Sequence, residues 1–335
     1  MRLLAALFAT ALCAFAAIDG TVVNQTTGKP QAGVSITLVK PGQGGMRTLG
    51  TTVSDVGGRF AFANDEPGGG PQLLQASYAG VNYNKLMTPN IPTSNVELPV
   101  FEATKSPAVA RVAQRMLVLE PSLSQIAVNE TVVLQNDSKQ TFNNEEMGGL
   151  QFFLPPASNG QVRISAQGPQ GMPLPRTAEK TSKTDVFKIS FPIKPGQTEF
   201  QITYVLPAGS PFTFRGENVN IKGMLSSPLR LIAPSGVTLS GKDVQMLGTE
   251  PNTQATIYNV LPSGAYSVDI AGTGSLRKGG DNAASADQGD SPQVTEGEPQ
   301  IYSHMGWLVG LAFSILAVGM IVLFRSSPVQ SASGR

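Results

Sequence analysis

One cysteine, one histidine and one tryptophan occur in 335 residues, and each scarcity removes a class of function. Cys13 lies in an N-terminal apolar run, so the chain beyond it has no thiol for a disulfide, a nucleophile or a metal. The single imidazole, His304, abuts the apolar C-terminal run, so neither a Ser-His-Asp nor a Cys-His arrangement is expected in the rest of the chain, nor a zinc site of the usual His/Cys type. Charged residues make up 14%, with 24 basic against 23 acidic. No global field draws the chain onto nucleic acid or an anionic membrane surface. The apolar share of 41% is ordinary for a packed protein and excludes a charge-driven disordered chain and a coiled coil. No cofactor and no metal is expected.

What the chain does have is turn-formers, 36 glycines and 25 prolines, well above the usual share of roughly 12% for the two together. Many short strands joined by many turns would use them. The two ends are apolar. Met1-Arg2 precedes the run Leu3–Phe15, and Ala14-Phe15-Ala16 offers small residues for cleavage, so residues 1–16 read as a signal peptide. About 13 residues make a helix of at most ~20 Å, too short for a ~30 Å hydrocarbon core. The bulky Leu12 before Cys13 argues against a lipoprotein signal. Met305–Phe324 is a run of 20 residues without a charge, the length a spanning helix needs, so residues 303–325 are predicted to cross a membrane once. Tyr302 and Trp307 suit an aromatic belt. Arg325 and Arg335 follow the span, while Arg277 and Lys278 stand farther off on its other side; the tail 326–335 is therefore expected in the cytoplasm and the rest outside. Residues 273–302 are Gly, Asp, Ser, Gln and Glu-rich, a flexible tether with a typical reach of about 30 Å.

Residues 18–104 alternate apolar and polar positions in short runs: Ile18–Val23, then Val34, Ile36 and Leu38, then Leu73–Tyr78 and Val96–Phe101. Each period-2 run puts one face in a core. Thr51–Val53 and Arg59–Phe62 flank Asp55-Val56-Gly57-Gly58, which reads as a hairpin. About seven strands make a small sandwich.

These residues also carry a resemblance. Ile18-x-Gly20-x-Val22, Thr27-Gly28-Lys29-Pro30-x-x-Gly33-Val34-x-Ile36 and Thr52-x-x-Asp55-x-x-Gly58-x-Phe60 resemble the carboxypeptidase regulatory-like domain, over about a quarter of the chain. One departure is the looser Val56-Gly57-Gly58 turn. The resemblance implies a transthyretin-like β-sandwich over 17–104, an accessory, non-catalytic role, and a bacterial envelope setting. It does not imply a peptidase, because the zinc ligands of such enzymes belong to a separate catalytic domain.

Residues 105–272 continue in β style. Ile126, Val128, Val132 and Leu134 share a parity, as do Phe187, Ile189 and Phe191, then Phe200, Ile202 and Tyr204, then Tyr266, Val268 and Ile270. The prolines between them forbid long helices. The expectation is a second sandwich region of about ten strands, or two small sandwiches dividing near Pro207. The fold class is thus all-β: a tandem β-sandwich ectodomain with one C-terminal transmembrane helix.

Candidate sites are few. Gly236–Asp243 has P-loop spacing, but Asp243 stands where Ser or Thr should reach magnesium, and Val237–Leu239 reads as a strand. Asn143-Asn144-Glu145-Glu146 and Asp65-Glu66 are the densest acidic spots and read as solvated loops, with oxygen ligation of calcium as the other reading. Tyr78 and Tyr83 form a loop-associated pair suited to stacking on a sugar. Gly306, Gly310 and Ser314 make a small-residue seam, a candidate face for a weak homodimer. The function expected is a non-catalytic, single-pass protein of the bacterial inner membrane, its ectodomain periplasmic or extracellular, presenting sandwiches to a protein partner. The alternatives are a carbohydrate- or cell-wall-binding module and, third, a carboxylate-dependent hydrolase.

Overall fold

The computed structural model describes residues 18–42, 45–63, 70–89, 91–208, 212–260 and 264–276. The expected signal peptide, the tether beyond residue 276, the spanning helix with Gly306, Gly310 and Ser314, His304, the cytoplasmic tail and Asp65-Glu66 lie outside them. Among the described residues no helix is long and apolar enough to cross a membrane.

The described chain is all-β. Nine strands occupy the first sandwich and its exit: β1 (Ile18–Asn24), β2 (Lys29–Pro30), β3 (Ser35–Gly42), β4 (Gly45–Val53), β5 (Arg59–Phe62), β6 (Gln72–Tyr78), β7 (Val81–Met87), β8 (Val96–Val100) and β9 (Glu102–Thr104). One sheet pairs β1 with β2 and β5 on one side and, parallel, with β8 on the other; the second runs β4-β3-β6-β7. The alternation explains the layers. Every second residue of β1 is buried, and Ile18, Val22, Ile36, Leu38, Leu74 and Leu98 form the centre of one core.

The expected hairpin across Asp55–Gly58 is not one. β4 pairs with β3 and β5 with β1, so the turn carries the chain from one sheet to the other. Asp55 holds it: its carboxylate accepts from the Gly57 and Arg59 amides at 2.8 Å each. Gly58 has φ +73°, and a Cβ there would sit 2.8 Å from the Val22 carbonyl oxygen, the backbone that Gly58 bonds at 2.7 Å. Glycine is required by both conformation and room.

Fifteen strands follow, more than the ten expected: β10 (Arg111–Pro121), β11 (Gln125–Asn136), β12 (Gln140–Phe142), β13 (Leu150–Phe153), β14 (Val162–Gln167), β15 (Leu174–Arg176), β16 (Glu179–Lys180), β17 (Val186–Ile189), β18 (Gly196–Pro207), β19 (Phe212–Glu217), β20 (Leu229–Ala233), β21 (Val237–Ser240), β22 (Val244–Thr249), β23 (Thr256–Val260) and β24 (Ala265–Gly272). Eight of them form one sheet in the order β15-β14-β18-β11-β10-β20-β23-β22, and β13-β17-β16 and β19-β24-β21 make two smaller ones. All three contribute to a single hydrophobic core. No division falls near Pro207: β18 pairs with β11 up to that residue, and β10 carries the sheet on to β20 by a parallel pairing.

Candidate functional site

The tyrosine pair singled out above lies where the two sandwiches meet. β9 leaves the first sandwich and pairs in parallel with β12 of the second, and the Asn143 amide extends that contact to the Thr104 carbonyl at 2.9 Å. Tyr83, on β7, is 4% exposed. Its hydroxyl donates to the Phe101 carbonyl at 3.0 Å and is 2.9 Å from Thr141 Oγ1. Its ring lies against Phe101 and under Lys194 Nζ, 5.2 Å from the centroid. No ring face is left for a sugar, so of the two readings of this tyrosine, core residue or stacking platform, the structure places Tyr83 in the core. Tyr78 is half-buried, and its hydroxyl donates to Glu102 Oε1 at 2.6 Å. Asn24 Nδ2 donates to the same oxygen at 2.6 Å and to Gln31 at 2.9 Å. Thr26 adds a bond to the Lys139 carbonyl across the junction.

The electrostatics fit glue rather than chemistry. Burial, then the Glu102 carboxylate, pushes the Tyr78 hydroxyl up to about 12, and burial raises Tyr83 too. Both phenols stay protonated. Lys194 Nζ donates to the Asn82 carbonyl at 2.5 Å, yet burial lowers its pKa to about 8. The tyrosine ring favours the ammonium, and desolvation outweighs it.

The core of the second sandwich holds a charge pair that sequence reading missed. Arg115 Nε and Glu130 Oε1 are 2.6 Å apart, each side chain 3% exposed. Arg115 Nη1 also donates to the Val219 carbonyl at 2.6 Å and to Asn218 Oδ1 at 3.2 Å. Tyr204 and Tyr266 are held neutral by burial and then by the nearby Glu130 charge. The signal lay in the pattern. Glu130 occupies the parity row of Ile126, Val128, Val132 and Leu134, and that whole row is buried.

The other candidates are structural. Val237–Ser240 is a strand paired with β24, with Gly236 at φ +84° and Gly241 at φ +154° on either side, so no phosphate loop forms. Asn144 Oδ1 accepts from the Glu146 and Met147 amides at 3.0 and 3.1 Å, which makes 143–146 a capped turn. Among the described residues no three His, Cys, Asp or Glu side chains are grouped so as to hold a metal ion.

No family model and no curated protein matches the chain. Solved structures similar to part of it include an M1 zinc metallopeptidase from Deinococcus radiodurans, 11% identical with a TM-score of 0.27 over 50% of this chain and 43% of that one. A mutant of an M1 zinc metallopeptidase from that organism, bound to a Tyr-Ser-Ala substrate, has the same identity and TM-score over 50% and 44%. The chain thus spans less than half the length of these structures, and a likeness of this size says nothing about activity.

Proposed function

We propose that the protein is a non-catalytic, membrane-anchored envelope protein whose joined β-sandwiches bind a protein partner. Residues 303–325 anchor it in the bacterial inner membrane and residues 273–302 hold the sandwiches clear of the bilayer; the apolar run and the polar stretch before it support this. The family resemblance over 17–104 supports the accessory, non-catalytic part. The observation that carries the binding role is the end of the eight-stranded sheet. Among the described residues β22 has β23 as its neighbour and no strand on its other side in the sheet. Its sequence, Val-Gln-Met-Leu-Gly-Thr, has no charge or proline to guard the edge, whose one irregularity is a register shift at Leu247, and Met246 and Leu247 are 58% and 56% exposed. Open edges are usually blocked against strand addition; one that is left apolar suits a partner that adds a strand.

Crosslinking of the full-length protein in its membrane, followed by mass spectrometry, tests this. One partner is expected to be recovered with the native chain and lost with Leu247→Lys, whose fold should be unchanged. Equal recovery with both chains, or none with either, overturns the reading. The seam Gly306, Gly310 and Ser314 belongs to the same proposal as a weak homodimer face. In a membrane dimerisation reporter, Gly310→Ile is expected to lower the signal.

A further inference from the structure

A cleft of about 340 Å³ is lined by Asn218, Asn220, Ser226, Ser227, Pro228 and Asn259 among others, and one of these, Asn218, is hydrogen-bonded by the buried Arg115. Its size is at the lower end of small-molecule sites, roughly 300–1,000 Å³. Arg115 gives that lining residue a fixed polarity. A guanidinium can only donate, so the 3.2 Å contact from Arg115 Nη1 turns Asn218 Oδ1 inward and leaves Nδ2 as the end of the amide free to face the cleft. A buried ion pair adds little to stability compared with an apolar core. Here it holds one cleft amide in a single orientation.

The remaining lining is equally specific in kind. Asn220, Asn259, Ser226 and Ser227 make no side-chain hydrogen bond to any described residue. The named lining residues carry no charge, so a phosphate or carboxylate ligand would find no counter-ion. Amides and hydroxyls that both donate and accept match a ligand with vicinal hydroxyl groups, and the exposed Pro228 offers an apolar patch for its C–H face. We propose that this cleft binds a neutral saccharide, with Asn218 Nδ2 as the oriented donor and Asn220, Asn259 and the two serines completing the hydrogen bonds. The site adjoins β22, since Asn259 and Val260 pair with Gln245 and Val244, but it includes no β22 residue and does not depend on a protein partner.

No aromatic side chain is among those named, so affinity should be weak, on the order of 1 mM, about −4 kcal/mol. The test uses the full-length protein in a detergent without a sugar headgroup, titrated with cellotetraose, maltotetraose and chitotetraose and followed by saturation-transfer NMR. Saturable binding of at least one is expected. Asn218→Asp, which keeps the acceptor for Arg115 and removes the donor, and Asn259→Ala should each weaken it at least fivefold. Leu247→Lys should leave it unchanged. Thermal unfolding checks each variant's fold, and if Asn218→Asp is misfolded, Asn259→Ala and Asn220→Ala carry the test. Absence of saturable binding to all three sugars, or binding that folded cleft variants leave intact, overturns the proposal.

Discussion

Glu130 shows what one residue can hide in a regular pattern. It stands in an apolar row on β11, and its neighbours across the sheet are Leu117 and Ile202. The alternation says that position 130 faces inward; it does not say what neutralises the charge. Arg115 comes from a strand whose register shifts between Val112 and Gln114. From Arg115 onward the strand alternates regularly, with Arg115 on the same buried row as Leu117 and Leu119, while the shift brings Val112, of the opposite parity, inward as well; the alternation does not say that Arg115 meets Glu130. Removing one partner leaves a buried charge unpaired. Glu130→Ala is expected to lower unfolding free energy by about 3–5 kcal/mol, and the double change Arg115→Met with Glu130→Leu to recover most of it; urea denaturation of both checks this. Gly58→Ala should cost more than about 1 kcal/mol by the same measurement, since both its positive φ and the Val22 carbonyl oppose a Cβ.

Lys194 gives a pH dependence with a definite sign. Its folded pKa of about 8 lies below the ordinary 10.5. Below pH 8 both states carry the charge and the folded state bears the full cost of burying it. Between pH 8 and about 10 the unfolded state binds more protons, so stability rises with pH. The gain is on the order of 1–2 kcal/mol, discounted for partial exposure. Tyr78, Tyr83, Tyr204 and Tyr266 act oppositely above pH 10, because their folded pKa values are raised and the unfolded phenols ionise first. The expected melting temperature rises from pH 8 to 10 and then falls. In Lys194→Met the rise should be absent.

At the scale of elements, strands and turns were legible and their pairing was not. The alternation around Ile18–Val23, Phe200–Tyr204 and Tyr266–Ile270 corresponds to β1, β18 and β24, because period-2 burial is a local property. Asp55-Val56-Gly57-Gly58 was recognisable as a turn from its Asp and glycines. Whether that turn closes a hairpin or crosses between sheets depends on β1 and β3, which lie more than ten residues away and compete for β5 and β4. The same limit applied to Tyr78 and Tyr83. Their place near the Ala79-Gly80 turn suggested exposure, whereas β12, some sixty residues onward, covers Tyr83 through Thr141. Tyr83→Phe, which removes that hydroxyl and its bond to Phe101, should cost about 1 kcal/mol.

For the whole molecule, the junction decides how the two cores behave. The β9–β12 ladder, the Tyr83–Thr141 contact and Lys194 above Tyr83 tie one sandwich to the other. Scanning calorimetry of the native chain is expected to show one cooperative transition for the described region. Tyr83→Ala removes a buried ring at the join, a loss of about 3–5 kcal/mol by comparison with other aromatic truncations. It is expected to split the transition in two, the first sandwich melting earlier.

The sequence by itself determined that the chain is β-rich and that it holds a single imidazole and a single thiol. These follow from composition and from neighbours two residues apart, where strand geometry acts directly. Only the tertiary structure decided that 105–272 holds one core rather than two, that the tyrosine pair lies in a junction, and that a buried arginine bonds an asparagine lining a cleft whose named residues carry no charge. Each of those depends on contacts between residues 15 to more than 100 positions apart, and such contacts are set by how whole sheets pack rather than by any local pattern.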